Sequence, residues 1–308
     1  MSEFSITILG NNSAIPCHGR HPSAQYLKIG NEHILVDCGE GTQLRLRQIP
    51  TVSLFHISHI FITHLHGDHY LGLMGLLSTL GLMRRTKPIH IFSHVELQEI
   101  IEMQLTMMGG SSPFDILFHN LPLEGEELIC DENRFSVKAF QLEHRIPCCG
   151  FLFTEKFEKK KVNKAALEEN SVPLQFWNEI QRGMDYQPAD GVLIKNEELT
   201  QPSPKPRTYA YCSDTRYFDN LNTKIAGVDT AYIETTYTEK ESELAVERFH
   251  CTAKQAAEVA QQAKIGRLMI GHFSSRYKNL SPFLTEARAV FPQTELAEEG
   301  KTFEIELW

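Results

Sequence analysis

The stretch "FITHLHGDH", residues 61–69, decides how this chain reads. It places three histidines and one aspartate directly after the strand-like run "HIFIT" (59–63). His64 and His66, two apart in extended chain, point to the same side. Gly67 frees the backbone for a tight turn into a following helix, which brings Asp68 and His69 round to join them. Four ligand-type side chains within six positions rarely arise from packing needs, so H-x-H-x-D-H reads as a metal motif.

Working outward, three more ligand-type residues recur in one context. His144 follows "VKAFQLE", Asp214 follows "TYAYCS" and His272 follows "RLMIG". Each stands at the C-terminal end of an apolar strand pattern, where loops gather side chains over a rigid sheet. Imidazoles and carboxylates suit zinc or manganese, and two such ions need about six to eight protein donors. Seven are available. A carboxylate such as Asp214 can bridge two ions roughly 3.5–4 Å apart, and the water between them then loses a proton near neutral pH. His18, His33, His56, His59, His90, His94 and His119 lack such a setting and read as ordinary surface or core histidines.

The surrounding text is that of an α/β protein. Strand patterns fill residues 4–36, and further strands are expected at "PIHIFS" (88–93), "ELIC" (127–130) and "RFSVKAFQLEH" (134–144). Apolar runs predict helices over 70–83 and 95–108. From about 154 to 208, proline, glycine and charge replace the strand rhythm, so an inserted arm is expected there. The rhythm then resumes with "TYAYCSD", "TAYIETTY", a helix at "TAKQAAEVAQQAK", "RLMIGH" and "FEIELW". Strands and helices in two blocks predict a sandwich of two sheets flanked by helices, in a single domain over 1–308 with the arm inserted.

Composition narrows the function classes. A net charge of −9 argues against general coating of nucleic acid, though not against a local basic patch. No run of about 18 apolar residues exists to span a membrane. The first residues carry no basic and apolar signal pattern. Seven irregularly spaced cysteines, among them the adjacent Cys148 and Cys149, suggest reduced thiols and a cytoplasmic protein.

With these residues in view, the chain resembles the metallo-β-lactamase superfamily, and within it the tRNA 3′-processing endonucleases of the ribonuclease Z type. "HLHGDH" (64–69) and "VDCGEGTQ" (36–43) carry the broader likeness. The narrower one rests on "ILGNNSAIP" and "RHPSAQYL" near the start, and on "LEHRIPCCGF" with Gly150 and Phe151 behind His144. It continues through "YCSDT", through "HCTAKQAAEVA" in the place of the family's HST loop, and through "HFSSRY" with His272, Ser274, Arg276 and Tyr277.

The resemblance implies a metallo-β-lactamase αββα sandwich and two zinc ions per chain, with manganese as the alternative. His64, His66, His144 and Asp214 would hold one ion; Asp68, His69, His272 and the shared Asp214 the other. Asp68 would also act as general base, and His250 backed by Glu234 would help protonate the departing 3′ oxygen. Asp37 would orient a ligand histidine, or else is a turn residue before Gly39. The activity implied is removal of 3′ trailers from precursor tRNA by a metal-bound hydroxide, leaving a 3′-hydroxyl, in a homodimer whose arm holds the tRNA.

Three segments depart from the family pattern. The HEAT loop reads "IETT" (233–236), with Ile233 where the histidine stands. The N-terminal loop reads "PCHGRH" (16–21), with His18 and His21 in place of lysine and asparagine. The arm reads "SVPLQFWNEIQRG" (171–183) where a Gly-Pro-rich segment is usual. The arm nevertheless holds the densest basic patch of the chain, with Lys156, Lys159, Lys160, Lys161 and Lys164 against Glu155 and Glu158. It suits a phosphate-contacting exosite, or else a solvated charged surface. Two competing functions are a broader phosphodiesterase or other hydrolase of this fold, and a non-catalytic RNA-binding subunit.

Overall fold

A computed structural model describes residues 3–110, 112–157, 159–189 and 191–308. Glu158 of the basic run lies outside these. The chain forms two seven-stranded sheets. The first contains β1 (Phe4–Gly10), β2 (Ala24–Ile29), β3 (Glu32–Val36), β4 (His59–Phe61), β5 (Ile89–Ser93) and β6 (Ile116–Asn120). The second contains β7 (Glu126–Asp131), β8 (Phe135–Gln141), β9 (Cys149–Glu155), β10 (Thr208–Cys212), β11 (Thr230–Glu234), β12 (Arg267–Gly271) and β13 (Thr294–Leu296). The last strand, β14 (Thr302–Glu304), returns to the first sheet beside β1.

Each sheet begins antiparallel and ends parallel. β1, β2 and β3 run as a meander, and β3 to β6 are parallel neighbours. Likewise β7 to β10 are antiparallel, and β10 to β13 are parallel. The parallel strands therefore send their C-terminal ends to one end of the sandwich.

Strand alternation explains the layers. Phe4, Ile6, Ile8, Ile34, Val36 and Phe61 face inward and meet Phe135, Val137, Phe151, Phe153, Tyr209, Tyr211 and Tyr232 of the other sheet. The opposite parity, such as Tyr26, Leu35, Ile60 and Ile91, packs under the helices Leu73–Leu82 and Glu96–Met107. Ala210, Ala231, Ile233, Leu268 and Ile270 lie under the helices Ala253–Ala263 and Ser281–Val290. With both faces covered, strands such as "FSITILG" are buried throughout. This is the αββα sandwich expected from the sequence. β6, β9 and the helices Ser242–Arg248 and Ser281–Val290 escaped the sequence reading; β9 runs straight into the charged segment, which hides its end.

Residues 156–207 form an insertion between the antiparallel neighbours β9 and β10, which stay in register at Thr154 and Thr208. The segment is less irregular than its composition suggests. It holds the helices Lys164–Glu169, Trp177–Gln181 and Asn196–Leu199. Leu167, Val172, Ile180 and Leu199 form its own small apolar cluster, with Trp177 packed against it. At its base, Arg207 makes a two-pronged contact with Glu155, Nε to Oε2 at 2.7 Å and Nη2 to Oε1 at 2.6 Å.

Among the described residues no helix is long and apolar enough to cross a membrane. All seven cysteines are free.

Candidate metal centre

All seven predicted ligands converge where the parallel strands end. β4 leads into His64, His66, Asp68 and His69; β8 leads to His144, β10 to Asp214 and β12 to His272. The turn after β4 is shaped by close packing against "VDCGEG". Cys38 N donates to the His69 carbonyl at 2.7 Å and Gly72 N to the Cys38 carbonyl at 2.9 Å. A Cβ at Gly39 or Gly72 would collide with backbone in this contact.

Two groups of four donors result: His64, His66, His144 and Asp214, and Asp68, His69, Asp214 and His272. In the first, His66 Nδ1 lies 3.1 Å from both His64 Nε2 and His144 Nε2, and Asp214 Oδ2 lies 3.7 and 3.8 Å from those two nitrogens. In the second, Asp214 Oδ1 lies 3.3 Å from His69 Nε2 and 3.1 Å from His272 Nε2, while Asp68 Oδ2 lies 3.5 and 3.4 Å from the same pair. The two oxygens of Asp214 thus belong to different groups. Donors around a tetrahedral zinc with bonds of about 2.0–2.2 Å stand roughly 3.3–3.5 Å apart. The spacings fit.

The far side of four of the five rings is tied down, which fixes the tautomer that turns a lone pair toward the centre. His69 Nδ1 donates to Asp37 Oδ2 at 2.8 Å, and His144 Nδ1 to the Phe249 carbonyl at 3.0 Å. His272 Nδ1 donates to Thr236 Oγ1 at 2.8 Å, which in turn donates to Glu234 Oε2 at 2.8 Å. His64 Nδ1 reaches Thr63 Oγ1 at 3.0 Å, and that hydroxyl donates to Asp37. Asp37 is fully buried and also accepts from Thr63 N and from the Tyr211 hydroxyl. Of the two readings open for Asp37, its geometry is that of the residue orienting a ligand.

Electrostatics point to cations. Burial pushes His64, His66 and His144 below the ordinary histidine value, so they are neutral donors. His69 goes the other way. Burial opposes its charge, yet Asp214, Asp37 and Asp68 together raise it well above the ordinary value. Burial likewise works against charge on Asp68 and Asp214, but the surrounding histidines hold both well below the usual carboxylate range. Among the described residues, His69 Nε2 and Asp214 Oδ1 are buried with no hydrogen-bond partner. Two unsatisfied ligand-type atoms 3.3 Å apart, with Asp68 beside them, fit a site built for divalent metal.

Beside the second group, His250 Nδ1 lies 2.8 Å from Glu234 Oε1 and 3.1 Å from Thr236 Oγ1. Glu234 is fully buried and also accepts from Cys251 N and Thr236 N. Burial lowers His250, but Glu234, then Asp214 and Asp68, outweigh it and the ring's pKa is raised. The Glu234–His250 pair is therefore in place although Ile233 occupies the neighbouring histidine position, its side chain buried under the helices.

These residues open into one cleft of about 480 Å³, also lined by Arg145, Arg248, Arg276, Tyr237, Ser274 and Ser275. Arg145, Arg248 and Tyr237 were not singled out in the sequence; nothing local marks an exposed arginine as facing a cleft. Ala14 N, in a left-handed conformation, donates to Asp68 Oδ2 at 2.7 Å, a contact equally invisible in sequence. The "PCHGRH" loop lies on the rim: His18 Nε2 is 2.9 Å from the Ser275 carbonyl and Arg20 Nη2 donates to the Tyr277 carbonyl at 2.7 Å. His21 is turned away to Glu299.

The five lysines of the insertion are not brought into the cleft. Lys156 pairs with Asp131 at 2.8 Å, Lys160 donates to Asn196 at 2.8 Å and Lys159 to Asn178 at 3.3 Å. Lys161 and Lys164 are exposed.

A family model described as Anti-Pycsar protein Apyc1 matches residues 4–162. That span holds five of the seven predicted ligands and ends before Asp214 and His272. Curated relatives match throughout. The ribonuclease Z of Phocaeicola vulgatus is 40% identical over 306 residues, 99% of each chain. That of Cytophaga hutchinsonii is 44% identical over 304 residues, 98% of this chain and 96% of its own. Among solved structures, the short form of human tRNase Z superimposes with a TM-score of 0.71 at 27% identity, over 98% of this chain and all of its own.

Proposed function

The chain belongs to the ribonuclease Z family, and on that premise we propose that its metal centre holds two zinc ions and serves precursor tRNA cleavage in a homodimer. The enzyme is a metal-dependent endoribonuclease that removes the 3′ trailer of precursor tRNA and leaves a 3′-hydroxyl. The observation that carries the two-ion reading is Asp214, whose two oxygens each complete a separate four-donor group. A pair of ions in these groups would polarise a phosphate and lower the pKa of a water at the centre; manganese suits the same donors.

The chain's own groups account for the remaining steps. Asp68 reaches the centre with one carboxylate oxygen and is held ionised, so it can orient a water and accept its proton transiently without storing it. Arg145, Arg248 and Arg276 line the cleft as exposed cations, placed for the phosphates flanking the scissile bond. Charge that grows on the non-bridging oxygens in the transition state meets fixed donors there. His250, its charged form favoured by Glu234, gives a proton to the departing 3′ oxygen. Asp37, Thr63 and Thr236 hold ligand rings in place.

The insertion forms the exosite. Its base lies at the opposite end of β10 from Asp214, roughly 20 Å away at 3.3 Å per residue. Lys159, Lys161 and Lys164 are exposed cations near its start. Exposed Leu82, Met83, Met103, Met107 and Met108, at the ends of two helices of the first sheet's outer layer, support pairing of two copies.

The same cleft of about 480 Å³ would also admit a small ester, which leaves one second reading, a broader phosphodiesterase with the same centre. Mapping cleavage on precursor tRNAs with and without an encoded CCA, beside bis(p-nitrophenyl) phosphate, separates the two. A single cut after the discriminator supports the tRNA reading. Hydrolysis of the small ester with no defined tRNA cut overturns it.

A further inference from the structure

At the end of the sandwich opposite the catalytic cleft stands a second group of metal-type side chains, and we propose that His59, Cys130 and Glu132 bind a divalent zinc-type cation there. His59 begins β4, five residues before His64 and on the order of 15 Å from it along the strand. It shares the inward parity of Phe61 and packs edge-on against Phe135 of the other sheet at 5.2 Å. Cys130 and Glu132 come from the end of β7 and the turn into β8. The donor atoms of the three lie within 4.8 Å of one another.

His59 is the informative member. It is 5% exposed. Its Nδ1 sits 2.9 Å from Ser58 Oγ, so with the proton there Nε2 carries a bare lone pair. That Nε2 is buried and without a hydrogen-bond partner among the described residues, its nearest carboxylate oxygen being Glu132 Oε1 at 3.6 Å. A native interior seldom leaves such an atom unsatisfied. The arrangement repeats that of the catalytic histidines, with one ring nitrogen anchored and the other aimed at ligand-type neighbours.

Imidazole nitrogen, thiolate sulfur and carboxylate oxygen together suit zinc better than magnesium or calcium, which take oxygen donors. Cys130 would release its thiol proton to solvent on binding. Glu132 is exposed and lines a cleft of about 640 Å³ that gives an ion a way in. Since His59 belongs to the first sheet and the other two to the second, a bound ion would tie the sheets together at this end. It would also fix the turn whose Asp131 receives Lys156, the first lysine of the insertion.

The two four-donor groups of the catalytic centre contain only nitrogen and oxygen donors, and among the described groups of metal-type side chains the cysteine is Cys130, so loss of a sulfur signal in Cys130→Ser identifies this site. Metal-free full-length protein is titrated with Co2+, and the sulfur-to-cobalt charge-transfer absorption is followed. The expected result is a band that saturates at one thiolate-bound ion per chain, is lost in Cys130→Ser, and shifts to higher cobalt concentration in Glu132→Gln. A wild-type protein with no such band overturns the proposal, as does a band unchanged in Cys130→Ser. Glu132 is exposed and its replacement leaves the core intact, so an unchanged titration midpoint in that variant overturns the proposal even if the serine variant fails to fold.

Discussion

The two ends of the sandwich are built from the same strands and do opposite work. At one end β4, β8, β10 and β12 deliver the seven ligand-type residues, and Asp37 after β3, Thr236 after β11 and the Phe249 carbonyl hold three of their rings from behind. At the other end the chain leaves the sheet for about fifty residues of short helices with a separate apolar cluster. One end is preorganised by the core, as chemistry at a phosphate requires. The other is attached to the core by a single pair of strands, as a device for reaching a large substrate needs to be. Catalysis and recognition should therefore respond separately to mutation.

The largest expected effect breaks the catalytic end alone. Asp214→Ala removes a donor from both groups, so metal content should fall below one ion per chain and activity on any phosphodiester by roughly a thousandfold or more, as loss of metal assistance predicts. Metal analysis and assay with a small ester check it; two retained ions would contradict the bridging role. Next comes His250→Ala. Loss of a general acid costs roughly a hundred- to ten-thousandfold in tRNA cleavage. Metal content should stay at the wild-type level, which separates this residue from the ligands beside it.

A smaller change tests what sustains His250. Burial alone would lower its pKa, and Glu234 is the main counterweight. The raised pKa keeps the acid form present at neutral pH, and the rate falls as pH rises through it. Glu234→Gln should move this alkaline limb to lower pH. A pH–rate profile with an unmoved limb would show that another group supplies the proton.

The mildest effect concerns the far end. Replacing Lys159, Lys161 and Lys164 with alanine should weaken precursor tRNA binding and flatten its dependence on salt, by about 0.7–0.9 in log-log slope for each phosphate no longer neutralised. Hydrolysis of bis(p-nitrophenyl) phosphate should not change. Equal losses in both assays would erase the distinction between the ends.

How much was legible follows the same division. "HLHGDH" stood out because four ligand-type residues fall in six positions, and His144, Asp214 and His272 because each ends a strand pattern. What supports them was hidden. Thr63, Thr236 and the Phe249 carbonyl act through hydrogen bonds of up to 105 residues' separation, and such pairings leave no local trace. Asp37 could be read two ways until its bond to His69 was seen. Arg145 and Arg248 look like any exposed arginine, because a cleft is a property of folded surfaces. The insertion was recognised by composition, but its apolar cluster was not, since Leu167, Val172, Ile180 and Leu199 are too sparse to form a period. His59 was read as an ordinary histidine for a related reason: its companions lie on the other sheet.

The Glu155–Arg207 clasp gives the insertion a removable quality. The carboxylate and guanidinium are nearly fully buried, and Arg207 also donates to the Ile305 carbonyl at 3.2 Å, so both stumps of the insertion are pinned to the sheet where they leave it. Topologically the whole segment is one oversized hairpin turn. A tight turn spliced between Glu155 and Arg207 would leave the β9–β10 pairing intact, and a different segment grafted there would meet a ready-made socket. On the proposed division of labour, the segment that grips the substrate is exchangeable without disturbing the end that cuts it.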